Sequence, residues 1–304
     1  MPIIGNSTTL QVESIIFATD FSPASQNAGL YASALSIHFG TDLLVADAFT
    51  LRQASLEVES EHPLSSQQRK DLTHDLTLTA ESLQSGRGLT QSALVEGDPC
   101  QMILLLAQRR NPALVVMGTH GRGSIDRFVL GSTAEGILRH SSGPALTVGP
   151  NADVLHAGAL KIHRILYATD CSAEAAHGAP VAVALAETFA ARIDVLNVVG
   201  SNRIDHPDQL HKLQDHFYDA LDLVVTESAR KLCEPSTFVS VGDPQSEILK
   251  HIDDREIDLL LMGLRRNTHL GMQNRTSGAF PIIVEANCPV ITVASGSVYW
   301  PQRS

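Results

Sequence analysis

Short apolar runs alternate with longer segments of helical periodicity along the first half of the chain. The runs are rich in Val, Ile and Leu, which is typical of buried strands. Strands are predicted at residues 14–19, 43–49, 92–95, 113–117 and 145–148, and helices from Ser22-Pro23 toward Gly40 and at 65–84, 99–109 and 134–140. Strands separated by helices need crossover connections, so the pattern predicts a parallel sheet with helices on both faces.

The same pattern occurs a second time. The segment IIFATD, which ends at Asp20, returns about 150 residues later as ILYATD, which ends at Asp170. The closing segment PALTV returns as PVITV at about the same offset. In this second copy, strands are predicted at 164–169, 193–199, 238–241, 259–263 and 289–293, and helices at 173–190, 209–232, 245–253 and 277–285. One folding unit is therefore written twice.

These patterns predict an α/β protein with two tandem Rossmann-like domains. Each domain is expected to hold a five-stranded, mostly parallel sheet. The predicted boundaries are 1–150 for the first domain, 151–163 for a turn-rich linker and 164–304 for the second domain.

Glycines follow the fourth predicted strand, in the stretch GTHGRGSIDRFVLGST that spans residues 118–133. Gly118 and Gly121 lack a Cβ and tolerate positive φ, so the backbone there can approach a ligand closely. The helix that follows adds unpaired N–H donors and a partial positive charge, and Ser132 or Thr133 adds a hydroxyl. The stretch predicts an anion cradle suited to nucleotide phosphates.

Three features fall at the carboxyl ends of predicted strands, where parallel sheets bind ligands. They are Asp20, Gly97 and Gly118. Asp20 has two open interpretations, a ligand contact or a cap for the following helix. The motif Gly-Asp-Pro that begins at Gly97, and again at Gly242, predicts turn and helix-start chemistry with at most a peripheral ligand contact.

The composition of the chain indicates which classes of partner it can bind. The formal net charge of −11 over 304 residues argues against nucleic acid, because binding phosphates non-specifically needs surplus Lys and Arg. No apolar run approaches a membrane span, and the first residues lack a basic leader region, so a cytoplasmic location without a membrane partner is expected. The 4 cysteines form no CxxC pair, which favours a reducing compartment, and only Cys171 lies beside a candidate ligand loop.

The spacing G-x2-G-x9-G-[ST], formed by Gly118, Gly121 and Gly131-Ser132, occurs together with Asp20 and the Gly-Asp-Pro motif. In this combination the chain resembles the universal stress protein family, in its tandem-domain type and ATP-binding branch. The resemblance implies that both domains are of the adenine nucleotide α-hydrolase-like type. It also implies an ATP site, with Mg²⁺ on the phosphates, in the first domain. The implied site residues are Ala18, Thr19, Asp20, Ala48, Met117, Gly118, His120, Gly121, Arg122, Gly131, Ser132 and Thr133.

The second copy departs from this pattern. Gly263 matches the first glycine, but Arg266 and Thr276 replace the other two. The arginines of this stretch either bind an anion by charge or fill the site. The resemblance implies a degenerate second site, formed by Asp170, Val198, Gly263, Arg266, Thr276 and Ser277. One ATP per chain, in the first domain, is therefore expected.

The leading interpretation is an ATP-binding stress-response regulator with little or no catalysis, read by an unknown protein partner. No catalytic residue and no metal-ligating side chain is assigned. A slow ATPase or adenylate-transferring enzyme and a purely structural interaction module are the alternatives. The chain lacks a Walker A loop and the SGGxDS-type and HxGH-type loops of enzymes on similar sheets. The resemblance also suggests an intramolecular pseudo-dimer docked through 145–148 and 290–293, with a homodimer as a further possibility.

Overall fold

A computed structural model of the chain describes residues 12–50, 65–83, 88–110, 112–120, 129–155, 160–172, 178–200, 215, 233–264 and 278–294. These residues form two compact units. The N-terminal unit comprises Val12–Val148 and Val154–Leu160, and the C-terminal unit comprises Gly149–Asp153 and the chain from Lys161 onward. Each unit is an α/β layer structure.

The N-terminal unit contains five strands and four helices among its described residues. They are β1 (Ser14–Ala18), α1 (Pro23–Phe39), β2 (Asp42–Phe49), α2 (Ser66–Ser82), β3 (Thr90–Glu96), α3 (Pro99–Arg109), β4 (Ala113–Gly118), α4 (Ser132–His140) and β5 (Ala145–Val148). The strand order is β3-β2-β1-β4-β5, and the pairs are all parallel. The order reverses beside β1, so β1 and β4 flank the switch point where such sheets bind ligands.

The C-terminal unit repeats this arrangement. Its described elements are β6 (Arg164–Ala168), α5 (Gly178–Phe189), β7 (Arg192–Val199), β8 (Ser236–Val241), α6 (Pro244–Arg255), β9 (Leu259–Leu264), α7 (Ala279–Glu285) and β10 (Val290–Ala294). The parallel order is β8-β7-β6-β9-β10. The predicted α/β class with two tandem Rossmann-like units is confirmed, while the helix predicted at 209–232 lies outside the described residues except for Asp215.

The core of each unit lies around its central strands. In β1, the consecutive residues Ile15, Ile16 and Phe17 are at most 1% exposed. Neighbouring residues of a strand point to opposite faces, so burial of all three means that helices cover both faces of the sheet. The edge strands β3 and β8 are only half-buried.

Side-chain caps explain where several helices begin. Ser22 caps α1 by accepting a hydrogen bond from the N–H of Ser25. Asp98 and Asp243 cap α3 and α6 in the same way, and each of the three helices has proline at its start. Proline suits this position because the first helical N–H has no partner within the helix. The interpretation of both Gly-Asp-Pro motifs as helix-start chemistry is confirmed.

The connection between β5 and β6 is divided between the units. Gly149 is buried in the C-terminal unit, where a Cβ would lie 3.0 Å from the carbonyl oxygen of Val284. The side chain of Asn151 donates to the carbonyl oxygen of Glu285 at 3.0 Å. Residues 154–160 belong instead to the N-terminal unit. The predicted linker therefore includes residues that pack as part of each unit.

None of the helices within the described ranges is long and apolar enough to cross a membrane.

Candidate functional site

The turn between β1 and α1 is held by side chains of its own residues. The N–H of Phe21 donates to Thr19 Oγ1 at 3.0 Å, and the N–H of Ser22 donates to Asp20 Oδ1 at 3.0 Å. Ser22, not Asp20, is the N-cap of α1. Asp20 therefore shapes the turn before the helix, and its carboxylate retains lone pairs for further donors.

The corresponding turn of the C-terminal unit has the same construction. The N–H of Cys171 donates to Thr169 Oγ1 at 3.1 Å, and the N–H of Ser172 donates to Asp170 Oδ1 at 3.0 Å. Phe21 and Cys171 share a positive φ, at 60° and 58°. The recurrence of the aspartate is explained by this turn, so it does not by itself indicate a ligand contact in either unit.

Gly118 ends β4 against the first turn of α1. A Cβ at this position would lie 3.0 Å from the carbonyl oxygen of Ala24 and 3.2 Å from the nitrogen of Ser25. Both atoms belong to the backbone and have little freedom to move. Gly118 does not adopt a positive φ. Close packing of β4 on α1, rather than an unusual backbone conformation, is what requires glycine here.

Gly118→Ala is therefore expected to lower the free energy of unfolding by about 1–3 kcal/mol, as overpacking does. Urea unfolding followed by circular dichroism measures the change. Gly278→Ala is the matched control, because a Cβ there meets nothing within 4 Å. Equal stability of the two variants would contradict the packing role. Because Gly118→Ala is expected to disturb the packing of β4 on α1, a loss of ligand binding in this variant does not identify Gly118 as a ligand contact.

The ends of the glycine-rich loop are held together by backbone hydrogen bonds. The N–H of Gly131 donates to the carbonyl oxygen of Thr119 at 2.8 Å, and the N–H of Thr119 donates to that of Val148 at 3.2 Å. Thr119 is fully buried. The exit of β4 and the start of α4 are thus adjacent. Gly121 and Arg122 lie outside the described residues.

Helix α4 begins two residues earlier than predicted, at Ser132. Its N-cap is Gly131, and no side chain among the described residues caps this end. The N–H of Gly131 already donates to the carbonyl oxygen of Thr119, so this amide is not available to bind a phosphate. No described acceptor takes the N–H groups of Ser132 and Thr133, and Ser132 is exposed. These two amides carry the partial positive charge of the helix start.

His120 is linked to both β4 and α1. Its Nδ1 lies 2.7 Å from Thr119 Oγ1, and its carbonyl oxygen accepts from Ser22 Oγ at 3.4 Å. The second of these bonds joins the loop exit to the N-cap of α1. His120 therefore contributes to the shape of the site whether or not its ring meets a ligand.

The structure places the described residues of the predicted site on one edge. Ala48, Thr19, Asp20 and Gly118 follow or end β2, β1 and β4, which are neighbours in the sheet. At about 4.8 Å between strands, the edge from β2 to β4 spans roughly 10 Å. Met117 is 3% exposed and Ala48 9%, so these two offer mainly backbone groups.

In the C-terminal unit, Asp170 is exposed and Val198 and Gly263 are half-buried, whereas Arg266, Thr276 and Ser277 lie outside the described residues. Cys171 is exposed, but partial desolvation raises the pKa of its thiol to about 11, with a further increase from the Asp170 carboxylate. Burial also raises the pKa of Tyr167 to about 12, partly offset by its hydrogen bond to Thr169. Both groups are neutral near pH 7, so Cys171 is a poor nucleophile.

A buried charge cluster was not predicted from the sequence. Asp194 of β7 is 1% exposed and accepts from Arg255 Nε at 3.1 Å and from His251 Nε2 at 3.3 Å. Arg164 lies 3.9 Å away, and the ring of Phe238 meets His251 edge to face and lies under the guanidinium of Arg255. The sequence feature that could have indicated this cluster is the aspartate within the largely apolar run IDVLNVV. The cluster lies toward the amino end of β7, away from the ligand edge.

The described part of the chain contains no group of three or more His, Cys, Asp or Glu side chains arranged to hold a metal ion.

Comparisons with known proteins agree with this architecture. The universal stress protein MJ0531 of Methanocaldococcus jannaschii is 27% identical over 150 residues, which cover 48% of this chain and 86% of that protein. A universal stress protein structure from Archaeoglobus fulgidus matches with a TM-score of 0.66 at 18% identity, covering 93% of this chain and 96% of that one. Protein PA1789 of Pseudomonas aeruginosa, described as functionally unknown, matches with a TM-score of 0.60 at 12% identity, over 95% and 94% of the two chains.

The model of the universal stress protein family matches residues 11–149 and again residues 161–294. The two matches together cover most of the chain and correspond to the two repeats of the sequence. With its two parallel α/β units, the chain belongs to the universal stress protein family.

Proposed function

We propose that the N-terminal unit binds ATP along the edge formed by the carboxyl ends of β2, β1 and β4. The observation that carries this proposal is the start of α4, where no described acceptor takes the N–H groups of Ser132 and Thr133. This helix start lies beside the exit of β4, because Gly131 is hydrogen-bonded to Thr119. Paired helix-start amides with a favourable dipole are suited to a polyphosphate.

The rest of the edge suits the nucleoside. Thr19 and Asp20 follow β1, and the backbone of Ala48 is near the end of β2. The phosphates would lie over β4 and the loop that includes Gly121 and Arg122, and the base would extend over β1 toward β2. Mg²⁺ would enter with the phosphates rather than be held by a ligand set of the described side chains.

Little or no hydrolysis is expected. A general base must reach the attacking water. Among the described residues of this edge, His120 has its Nδ1 hydrogen-bonded to Thr119 and its Nε2 buried, so neither ring nitrogen is open to an attacking water. Nucleotide occupancy would then act by changing a surface that a partner protein reads, which is the behaviour of a regulator rather than an enzyme.

A single ATP per chain is proposed. In the C-terminal unit, the positions of the second and third loop glycines carry Arg266 and Thr276. A side chain there would occupy space that the backbone needs to approach phosphate closely.

Calorimetric titration of the full chain with ATP, ADP and AMP tests the proposal. We expect one ATP per chain, and an affinity that falls with each phosphate removed, because the helix-start amides contact the phosphates. Absence of ATP binding, or two equivalent sites, would overturn it. A parallel titration without Mg²⁺ is expected to weaken ATP more than AMP.

A further inference from the structure

Residues 47 and 197 occupy equivalent positions in the two units but differ in chemistry. In each unit the residue directly follows the last strand residue paired with the central strand, Ala46 opposite Ala18 and Leu196 opposite Ala168. In the C-terminal unit, Asn197 Nδ2 donates to the carbonyl oxygen of Thr169 at 2.8 Å. The amide of Asn197 therefore satisfies the backbone at the exit of β6.

The N-terminal unit lacks this hydrogen bond. Its equivalent side chain is Asp47, and a carboxylate at neutral pH has no proton to donate. No described residue donates to the carbonyl oxygen of Thr19, although Thr19 is only 7% exposed. Buried carbonyl groups nearly always have a donor. At the exit of β1, the Thr19 carbonyl oxygen therefore has no described donor, and the position equivalent to Asn197 carries the carboxyl group of Asp47.

We propose that the Thr19 carbonyl oxygen and the Asp47 carboxylate together accept the 6-amino group of the bound purine, so that Asp47 selects adenine. This inference rests on the proposed ATP site. The strand order places the phosphate-binding start of α4 next to β4 and places Asp47 two strands away on β2. At roughly 10 Å across those strands, a nucleotide anchored by its phosphates brings its base to this corner.

The chemistry discriminates between purines. The 6-amino group of adenine carries two hydrogens, which can meet two acceptors. The 6-oxo group of hypoxanthine is itself an acceptor and would face both oxygens with no donor between them. A carboxylate has lone pairs for several donors, so other contacts of Asp47 do not prevent this role. In the C-terminal unit, Asn197 already donates to the equivalent acceptor, the carbonyl oxygen of Thr169, so that unit cannot bind the 6-amino group in this way.

The test compares ATP with ITP on the full-length chain by calorimetry. The wild type is expected to bind ATP at least about tenfold more tightly than ITP, since a site that loses a buried hydrogen bond discriminates strongly. In Asp47→Asn, the new amide is expected to donate to Thr19 as Asn197 does to Thr169, and the ATP-to-ITP ratio falls about tenfold. Asn197→Asp is the matched control and should leave the ratio unchanged.

The outcomes separate the two proposals. An unchanged ratio in Asp47→Asn, or equal binding of ATP and ITP by the wild type, overturns the role of Asp47 and leaves the ATP site standing. No ATP binding by the wild type overturns both. If Asp47→Asn fails to fold, wild-type titration with N6,N6-dimethyl-ATP decides the matter. Its amino group has no hydrogens, so its affinity should fall to that of ITP, and an affinity equal to that of ATP refutes the inference.

Discussion

Replacing Ser132 by proline is expected to weaken ATP binding by about 10- to 100-fold, as the loss of one charge-assisted hydrogen bond does. Proline removes the N–H that the proposed phosphate contact needs. It should not disturb the helix, because Ser132 is the first residue of α4 and proline is favoured there. Gly131 already has φ −63° and ψ 144°, the conformation that a residue before proline prefers.

The matched control is Ser132→Ala, which removes the hydroxyl and keeps the N–H. Its ATP affinity is expected to change less than about threefold, a small fraction of one hydrogen bond. Calorimetry measures both variants, and circular dichroism verifies that each is folded. Equal losses would assign the contact to the hydroxyl, and normal affinity in Ser132→Pro would contradict a phosphate grip by this amide.

Asp194→Asn is expected to lower the free energy of unfolding of the C-terminal unit by about 2–3 kcal/mol at pH 7. The change removes the buried charge that compensates Arg164 and Arg255. This loss of stability is small for a buried ion pair, because the arginine side chains are still 24% and 38% exposed and water can solvate them. Urea unfolding measures it.

The control is the same chemical change in an exposed ion pair. Glu96 lies 2.6 Å from Arg69, and both side chains are nearly half exposed, at 45% and 49%. Glu96→Gln is expected to cost less than about 1 kcal/mol, because solvent screens such pairs. Similar losses in the two variants would contradict a special role for burial at Asp194.

The effect of Asp194 depends on pH with a definite sign. Burial alone would raise the pKa of its carboxyl, but hydrogen bonds from His251 and Arg255, with the charges of Arg255 and Arg164, outweigh burial and lower it. A lowered pKa means stabilisation that is complete above the ordinary carboxyl pKa. The difference between wild type and Asp194→Asn should therefore shrink as the pH falls through the lowered pKa, and a difference that grows in acid would contradict this assignment.

Most of the fold was predictable because its signals are local. Apolar runs with β-branched residues placed the strands to within about two residues, the usual uncertainty of such boundaries. Ser22, Asp98 and Asp243, each followed by proline, marked helix starts that the structure reproduces. Parallel pairing followed from the alternation of strands and helices. The starts of α4 and α7, which follow the loops after β4 and β9, each differ from the prediction by two residues.

The site was less predictable because its contacts join distant parts of the chain. The need for glycine at position 118 comes from Ala24, and the N–H of Gly131 is consumed by Thr119. Asp194 meets partners 57 and 61 residues away, which no periodicity reveals. The two copies differ at this position, since an apolar Leu44 stands where the second copy has Asp194.

The divided connection between β5 and β6 has a practical consequence for anyone who wishes to study one unit alone. A cut near residue 150 leaves Gly149 on the wrong fragment, away from its contact with Val284. A cut near residue 160 instead carries off Asn151 and its bond to Glu285. Any single break of the connection therefore removes from one unit a segment that packs against it. The isolated halves would be less stable than the units of the intact chain, and their ligand binding would be weaker than that of the intact protein.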